Sequence, residues 1–147
     1  MNNNKTAIIT GAGTGIGKGI ALKFADNNFN LILASRNVNN LNNVKKECDL
    51  LNNNSSFVIQ TDITDEKSVE NLFSESKSKF GKIDVLINNS GVFDGGALDE
   101  MSVETWDKVI SVNLRGAFLC LRQAMKIMKF QKYGRIVNIG SISGQVP

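Results

Sequence analysis

The sequence has 147 residues, of which 41% are hydrophobic and 21% charged, with a formal net charge of +3. That is enough chain for one ordinary globular domain, and the charges are scattered rather than gathered into a basic stripe, which excludes a nucleic-acid footprint. No signal-peptide core follows Met1, no apolar stretch is long enough to span a bilayer, and Cys48 and Cys120 are far apart, so a cytoplasmic protein without disulfides or membrane association is expected.

The first apolar run, Thr6-Ala7-Ile8-Ile9-Thr10, is followed at once by glycines and then by apolar residues at helical spacing from Ile16 to Phe24. This predicts strand, tight loop and helix. Leu31 to Ala34 predicts a second strand, Leu41 to Leu51 a helix, Phe57 to Ile59 a third strand, and Ser68 to Phe80 a helix closed by Gly81. Ile83 to Ile87 predicts a fourth strand, Gly91 to Gly96 a loop, Ser102 to Phe130 a long helical region, and Arg135 to Ile139 a fifth strand. Strands that are apolar on both faces and alternate with helices predict a doubly wound parallel α/β sheet forming a single domain over residues 1–147. The short asparagine runs, Asn2 to Asn4 and Asn52 to Asn54, read as surface composition.

Chemistry is constrained by what is missing. Histidine is absent, which removes Ser-His-Asp and Cys-His catalysis and the commonest metal ligand. The glycines of Thr10-Gly11-Ala12-Gly13-Thr14-Gly15-Ile16-Gly17 stand between the first strand and the first helix, where backbone N–H groups can meet a pyrophosphate without a side chain in the way. Neither the strict Gly-x-Gly-x-x-Gly spacing nor a P-loop is met. The alternative is a glycine turn that merely lets helix and strand pack closely.

With Thr61-Asp62-Ile63-Thr64-Asp65 after the third strand, Asn88-Asn89-Ser90-Gly91 after the fourth, Asn113 in the long helix and Gly140-Ser141 after the fifth, the chain resembles the short-chain dehydrogenase/reductase family. The resemblance implies a Rossmann-like fold that binds NAD(P)(H), with cofactor contacts at Gly11, Thr14, Gly15, Ile16, Gly17, Asp62, Ile63, Asn89 and Gly91. Asp62 and Ile63 would contact adenine, and Ser90 stands where alanine is more usual. The second strand ends in Ser35-Arg36-Asn37. A carboxylate there would bind the adenosine ribose of NAD, whereas a guanidinium clasps the extra phosphate of NADP, so NADP(H) is the expected preference and NAD(H) the alternative.

By the same resemblance Ser141 would hydrogen-bond the oxygen of a small carbonyl or alcohol substrate, and Asn113 would support a water chain serving a lysine. The family's Tyr-x-x-x-Lys, expected shortly after Ser141, is not found in these residues, so the sheet is expected to be cut short after its fifth strand. Tyr133 is no substitute: it precedes the fifth strand while Ser141 follows it, and eight residues at about 3.3 Å each separate them by up to roughly 26 Å. The fifth strand would then present an exposed apolar edge. Trp106, Phe118 and Leu119 read as packing residues on a helix that builds homo-oligomer interfaces in family members, and Phe93, Asp94 and Gly95 as a loop above the cleft. Three readings stand: an oxidoreductase acting on a ketone or secondary alcohol, an inactive nucleotide-binding fragment or remnant, and a methyltransferase, which the glycine loop and Asn88-Asn89 disfavour.

Overall fold

Strand β1 (Thr6–Thr10) is buried along its whole length, as a strand must be when both faces of its sheet are covered. In the computed structural model, which describes residues 4–51 and 55–142, β1 is followed by α1 (Gly15–Asp26), β2 (Asn30–Ser35), α2 (Val38–Leu51), β3 (Ser56–Gln60), α3 (Glu66–Phe80), β4 (Val85–Asn88), α4 (Val103–Ile110), a π-helical turn (Ser111–Gly116), α5 (Ala117–Gln131) and β5 (Arg135–Asn138). The five strands form one sheet in the order β3-β2-β1-β4-β5, every pairing parallel. The expected doubly wound architecture is therefore the observed one. Most of the asparagine runs, Asn2, Asn3 and Asn52 to Asn54, lie outside the described residues.

Alternation along the strands builds two cores. Ile8, Ile32 and Leu86 point to one face, where they pack with Leu72 and Phe73 of α3 and with Leu119, Ala124 and Met128 of α5. Ala7, Ile9, Leu31, Leu33 and Ile87 point to the other, against Ala21 and Ala25 of α1 and Leu41 and Val44 of α2. In-register pairs such as Ile8 with Ile32 and Leu86 with Ile136 keep the two sets apart, because side chains on neighbouring parallel strands share a face at matched register. Strand β5 is an edge, and its Val137 and the following Ile139 remain exposed.

Several boundaries differ from the periodicity, each for a local reason. Helix α3 starts at Glu66 rather than Ser68 because the Asp65 carboxylate accepts from the N–H groups of Lys67 and Ser68, capping donors that the helix itself cannot satisfy. Strand β4 starts at Val85 rather than Ile83 because Ile83 is held by a side chain: Gln131 accepts from its N–H at 3.1 Å and donates to its carbonyl at 2.9 Å. The long helical region from Ser102 to Phe130 is not uniform. The widened turn at Ser111–Gly116 divides it.

Candidate nucleotide-binding site

The chain order reverses between β1 and β4, which neighbour each other at the centre of the sheet, and the crevice outside the carboxyl ends of strands at such a point is where α/β sheets bind ligands. A cleft of about 190 Å³ lies there, lined by Gly11, Ser35, Arg36, Thr61, Asp62, Ile63, Asn89, Ser90, Gly91, Val92 and Val112. Sequence-predicted residues from four separate loops thus share one cavity.

Of the glycine loop, Gly11 lines this cleft, while Gly13, Thr14 and Gly15 line a second depression with Lys18, Asn40 and Glu47. Gly11 has φ +65°, and a Cβ on it would lie 2.9 Å from Asn89 Nδ2 and 3.1 Å from the Ser90 backbone. A Cβ on Gly17 would collide with the Gly11 carbonyl. The loop is locked to the end of β4 by Thr10 and Asn89. Thr10 Oγ1 accepts from the N–H groups of Asn89 and Ser90 at 3.0 and 3.1 Å, and Asn89 Nδ2 donates to the Thr10 and Gly11 carbonyls at 3.1 and 3.3 Å. Thr14 ends the loop without capping α1 through its side chain, so the first N–H groups of that helix, at Gly15, Ile16 and Gly17, have no intrahelical acceptor and face outward with the positive end of the helix dipole. That is a fitting cradle for a pyrophosphate. Ile16 is exposed beside it.

At the other end of the cleft stand Asp62 and Arg36. Asp62 Oδ1 accepts from the Thr64 N–H at 2.9 Å and the Thr64 hydroxyl at 2.7 Å. Burial acts to raise the carboxyl's pKa, but these two hydrogen bonds and the Arg36 charge outweigh it and hold it below the ordinary value. Ile63 is buried next to it. Ser35, Arg36 and Asn37 form a braced turn: Gln60 Nε2 donates to the Arg36 carbonyl at 3.1 Å, Thr61 N–H to the Ser35 carbonyl at 3.0 Å, and Asn37 Oδ1 accepts from Asn40 N–H at 3.1 Å. The Arg36 guanidinium makes no hydrogen bond among the described residues, and the residue also lines an adjoining depression with Asn37, Val38, Asn39 and Gln60.

Asn113 lies in the π-helical turn and grips the loop after β4 with both ends of its amide. Oδ1 accepts from Val92 N–H and Nδ2 donates to the Val92 carbonyl, each at 2.9 Å. Gly91 precedes that contact, and Asp94 further along pairs with Lys108 of α4 at 2.8 Å, while Phe93 projects into solvent. Ser141 follows β5 on the carboxyl side of the sheet, since Ile139 N–H still donates to the Asn88 carbonyl at 2.9 Å. Tyr133 sits at the amino end, with Lys5 Nζ 5.6 Å and Arg135 Cζ 5.2 Å from its ring centroid. Leu119 is core, but Trp106 and Phe118 are exposed. Both cysteines are buried, and burial pushes the thiols up to about 11 for Cys48, aided by Asp49 and Glu47, and about 12 for Cys120. No group of three potential metal ligands occurs among the described residues, and no helix among them is long and apolar enough to cross a membrane.

Three structural contributors escaped the sequence reading: the Thr10 hydroxyl, the Thr64 brace on Asp62, and Gln60 beneath Arg36. The first two stood inside quoted motifs, which signalled them. For Gln60 only its place at the end of β3, beside Ser35 of β2, carried a signal.

The parallel sheet with a glycine cradle at its switch point defines a nucleotide-binding α/β protein. A family model described as short chain dehydrogenase matches residues 5–147, and the chain belongs to that family of oxidoreductases. An uncharacterized oxidoreductase of Staphylococcus aureus (strain MW2) is 35% identical over 141 residues, which is 96% of this chain and 60% of that protein. A crystallised variant of actinorhodin polyketide ketoreductase with NADPH superposes with a TM-score of 0.94 at 30% identity, over 99% of this chain and 56% of that one. Levodione reductase gives 0.93 at 30% identity, over 97% and 56%. The chain thus spans about 60% of the length of the curated relatives it matches.

Proposed function

We propose that this chain is the nucleotide-binding portion of an NADP(H)-dependent oxidoreductase that transfers hydride between the nicotinamide and a small ketone or secondary alcohol. The carrying observation is the crevice at the carboxyl ends of the strands, where Gly11 shares one cleft with Asp62 and Arg36 and the uncapped start of α1 opens on a second depression lined by Thr14 and Gly15. Gly15, Ile16 and Gly17 would hold the pyrophosphate through backbone N–H groups, and Asp62 and Ile63 the adenine. Arg36 favours the phosphorylated ribose, because its guanidinium makes no hydrogen bond among the described residues and no carboxylate occurs at Ser35-Arg36-Asn37; a bidentate phosphate contact is what such a group does best. When bound, the nicotinamide supplies or accepts the hydride. On the protein side, Asn113 fixes the loop at Val92, and Ser141 would orient the substrate oxygen.

A second reading, nucleotide binding without turnover, is favoured by one observation. The only tyrosine, Tyr133, is at the amino end of the sheet, away from the crevice where a proton must reach the carbonyl oxygen. We place the protein in a reducing, cytoplasmic setting on the strength of its two buried free thiols, and we assign it to a homo-oligomer through the exposed Trp106, Leu114, Phe118 and Met125 of α4 to α5, an apolar row of the kind that interfaces cover.

Nicotinamide fluorescence titration of the purified protein tests these assignments. NADPH is expected to bind about tenfold or more tightly than NADH, and Arg36→Glu to reverse the order. Equal affinities in the unsubstituted protein overturn the NADP assignment. Under the second reading no ketone-dependent loss of NADPH absorbance occurs with the 147-residue chain, and clear turnover rejects it.

A further inference from the structure

The cleft is bordered by the loop after β3, carrying Asp62 and Ile63, and by the loop after β4, carrying Gly91 and Val92. One short segment touches both. It is the π-helical turn Ser111–Gly116, and such turns inside helices concentrate at functional sites. Asn113 holds Val92 on one side. On the other, the Arg115 guanidinium donates from Nη1 to the Thr64 carbonyl, and Gly116 lets the helix approach so closely that a Cβ there would stand 2.7 Å from Ile63 Cδ1. Widening the turn by one residue opens the angle between Asn113 and Gly116, which on a regular α-helix, three positions apart, would share a face.

Thr64 is the link to the cleft. Its N–H and hydroxyl both end on Asp62 Oδ1, so a fixed Thr64 fixes the carboxylate, whose Oδ2 makes no hydrogen bond among the described residues. The geometry points to Arg115 as a positioning residue for the adenine end of the cleft: it acts through Thr64 on Asp62 and Ile63 without touching the nucleotide. This rests on the nucleotide-binding reading above. Arg115 is exposed, so its removal leaves the cores intact. Helix α3 is held independently of Arg115, by Val69, Leu72 and Phe73 in the core with Leu119, Ala124 and Met128 of α5.

The test uses the full chain and two variants, Arg115→Ala and Arg115→Lys. Amide hydrogen exchange without nucleotide is expected to quicken at Ile63, Thr64 and Asp65 in Arg115→Ala, to stay unchanged at Val92, and to recover in part in Arg115→Lys. Adenosine 2′,5′-bisphosphate and NADPH are expected to bind Arg115→Ala about three- to tenfold more weakly, consistent with the loss of one charge-assisted hydrogen bond, while reduced nicotinamide mononucleotide binds as before. Unchanged exchange at Ile63 to Asp65, or an equal loss for the adenosine and nicotinamide probes, overturns the positioning role. An unsubstituted protein that binds none of the probes instead overturns the nucleotide reading, and the adenine role with it.

Discussion

Asp62 shows how one carboxylate serves both stability and the cleft. Its two Thr64 hydrogen bonds and the Arg36 charge favour the ionised form more than burial opposes it, so its folded pKa lies below the usual 3.8. The stabilisation is therefore complete above the unfolded value and disappears as the pH falls through the lower folded one. Asp62→Asn is expected to destabilise the protein at neutral pH and to lose less further stability than the unsubstituted protein between about pH 5 and pH 2. Urea unfolding midpoints across that range decide it, and parallel curves would show that Asp62 contributes nothing to the acid limb. The candidates Gly11, Asp62 and Asn89 were legible because each closely follows a strand, so the motif order placed them at the same end of the sheet. What Thr10 and Gln60 bond to was not legible, since those partners, such as Asn89 for Thr10 at a separation of 79 residues, meet only once the strands are paired, whereas the Thr64 brace on Asp62 is a local bond between residues two apart.

At the scale of elements, helix ends were the weak point of sequence reasoning and also carry adjustable stability. Helix α3 ends at Gly81 with φ +74°, the left-handed conformation that glycine adopts without penalty. Helix α5 ends in the same region at Lys132, φ +56°, where a Cβ crowds the backbone. Lys132→Gly is accordingly expected to raise stability by about 0.5 to 1 kcal/mol, read as a higher midpoint in chemical denaturation; a lower midpoint would mean that the lysine side chain contributes more than its strained backbone costs. The strands were readable because continuous apolar runs demand two covered faces. The π-helical turn was not, because a bond pattern of i to i+5 has no apolar period of its own, and Val112 and Leu114 fit an uninterrupted helix equally well.

For the molecule as a whole, coverage of the sheet is uneven. Helices α1 and α2 bury Ala7, Ile9, Leu31 and Leu33 but do not extend over β5, whose Val137 is 44% exposed although it pairs in register with the nearly buried Ile87. An edge strand with exposed β-branched residues is a template for association. Val137→Lys is expected to reduce light scattering at matched concentration while changing unfolding stability by less than about 0.5 kcal/mol. Scattering that persists would place the association elsewhere, with the row from Trp106 to Met125 as the next surface to alter.

Taken by itself, the amino-acid sequence determined the class of sheet, the order of its elements and the end at which ligand-binding loops gather, because those follow from local periodicity, from glycine's lack of a side chain and from the rule that parallel strands need crossovers. Only the tertiary structure decided which residues hold the loops in place. Thr10 on Asn89, Gln60 under Arg36, Asn113 on Val92 and Arg115 on Thr64 each depend on groups brought together by strand pairing and helix packing, and no spacing along the chain encodes a hydrogen bond between loops.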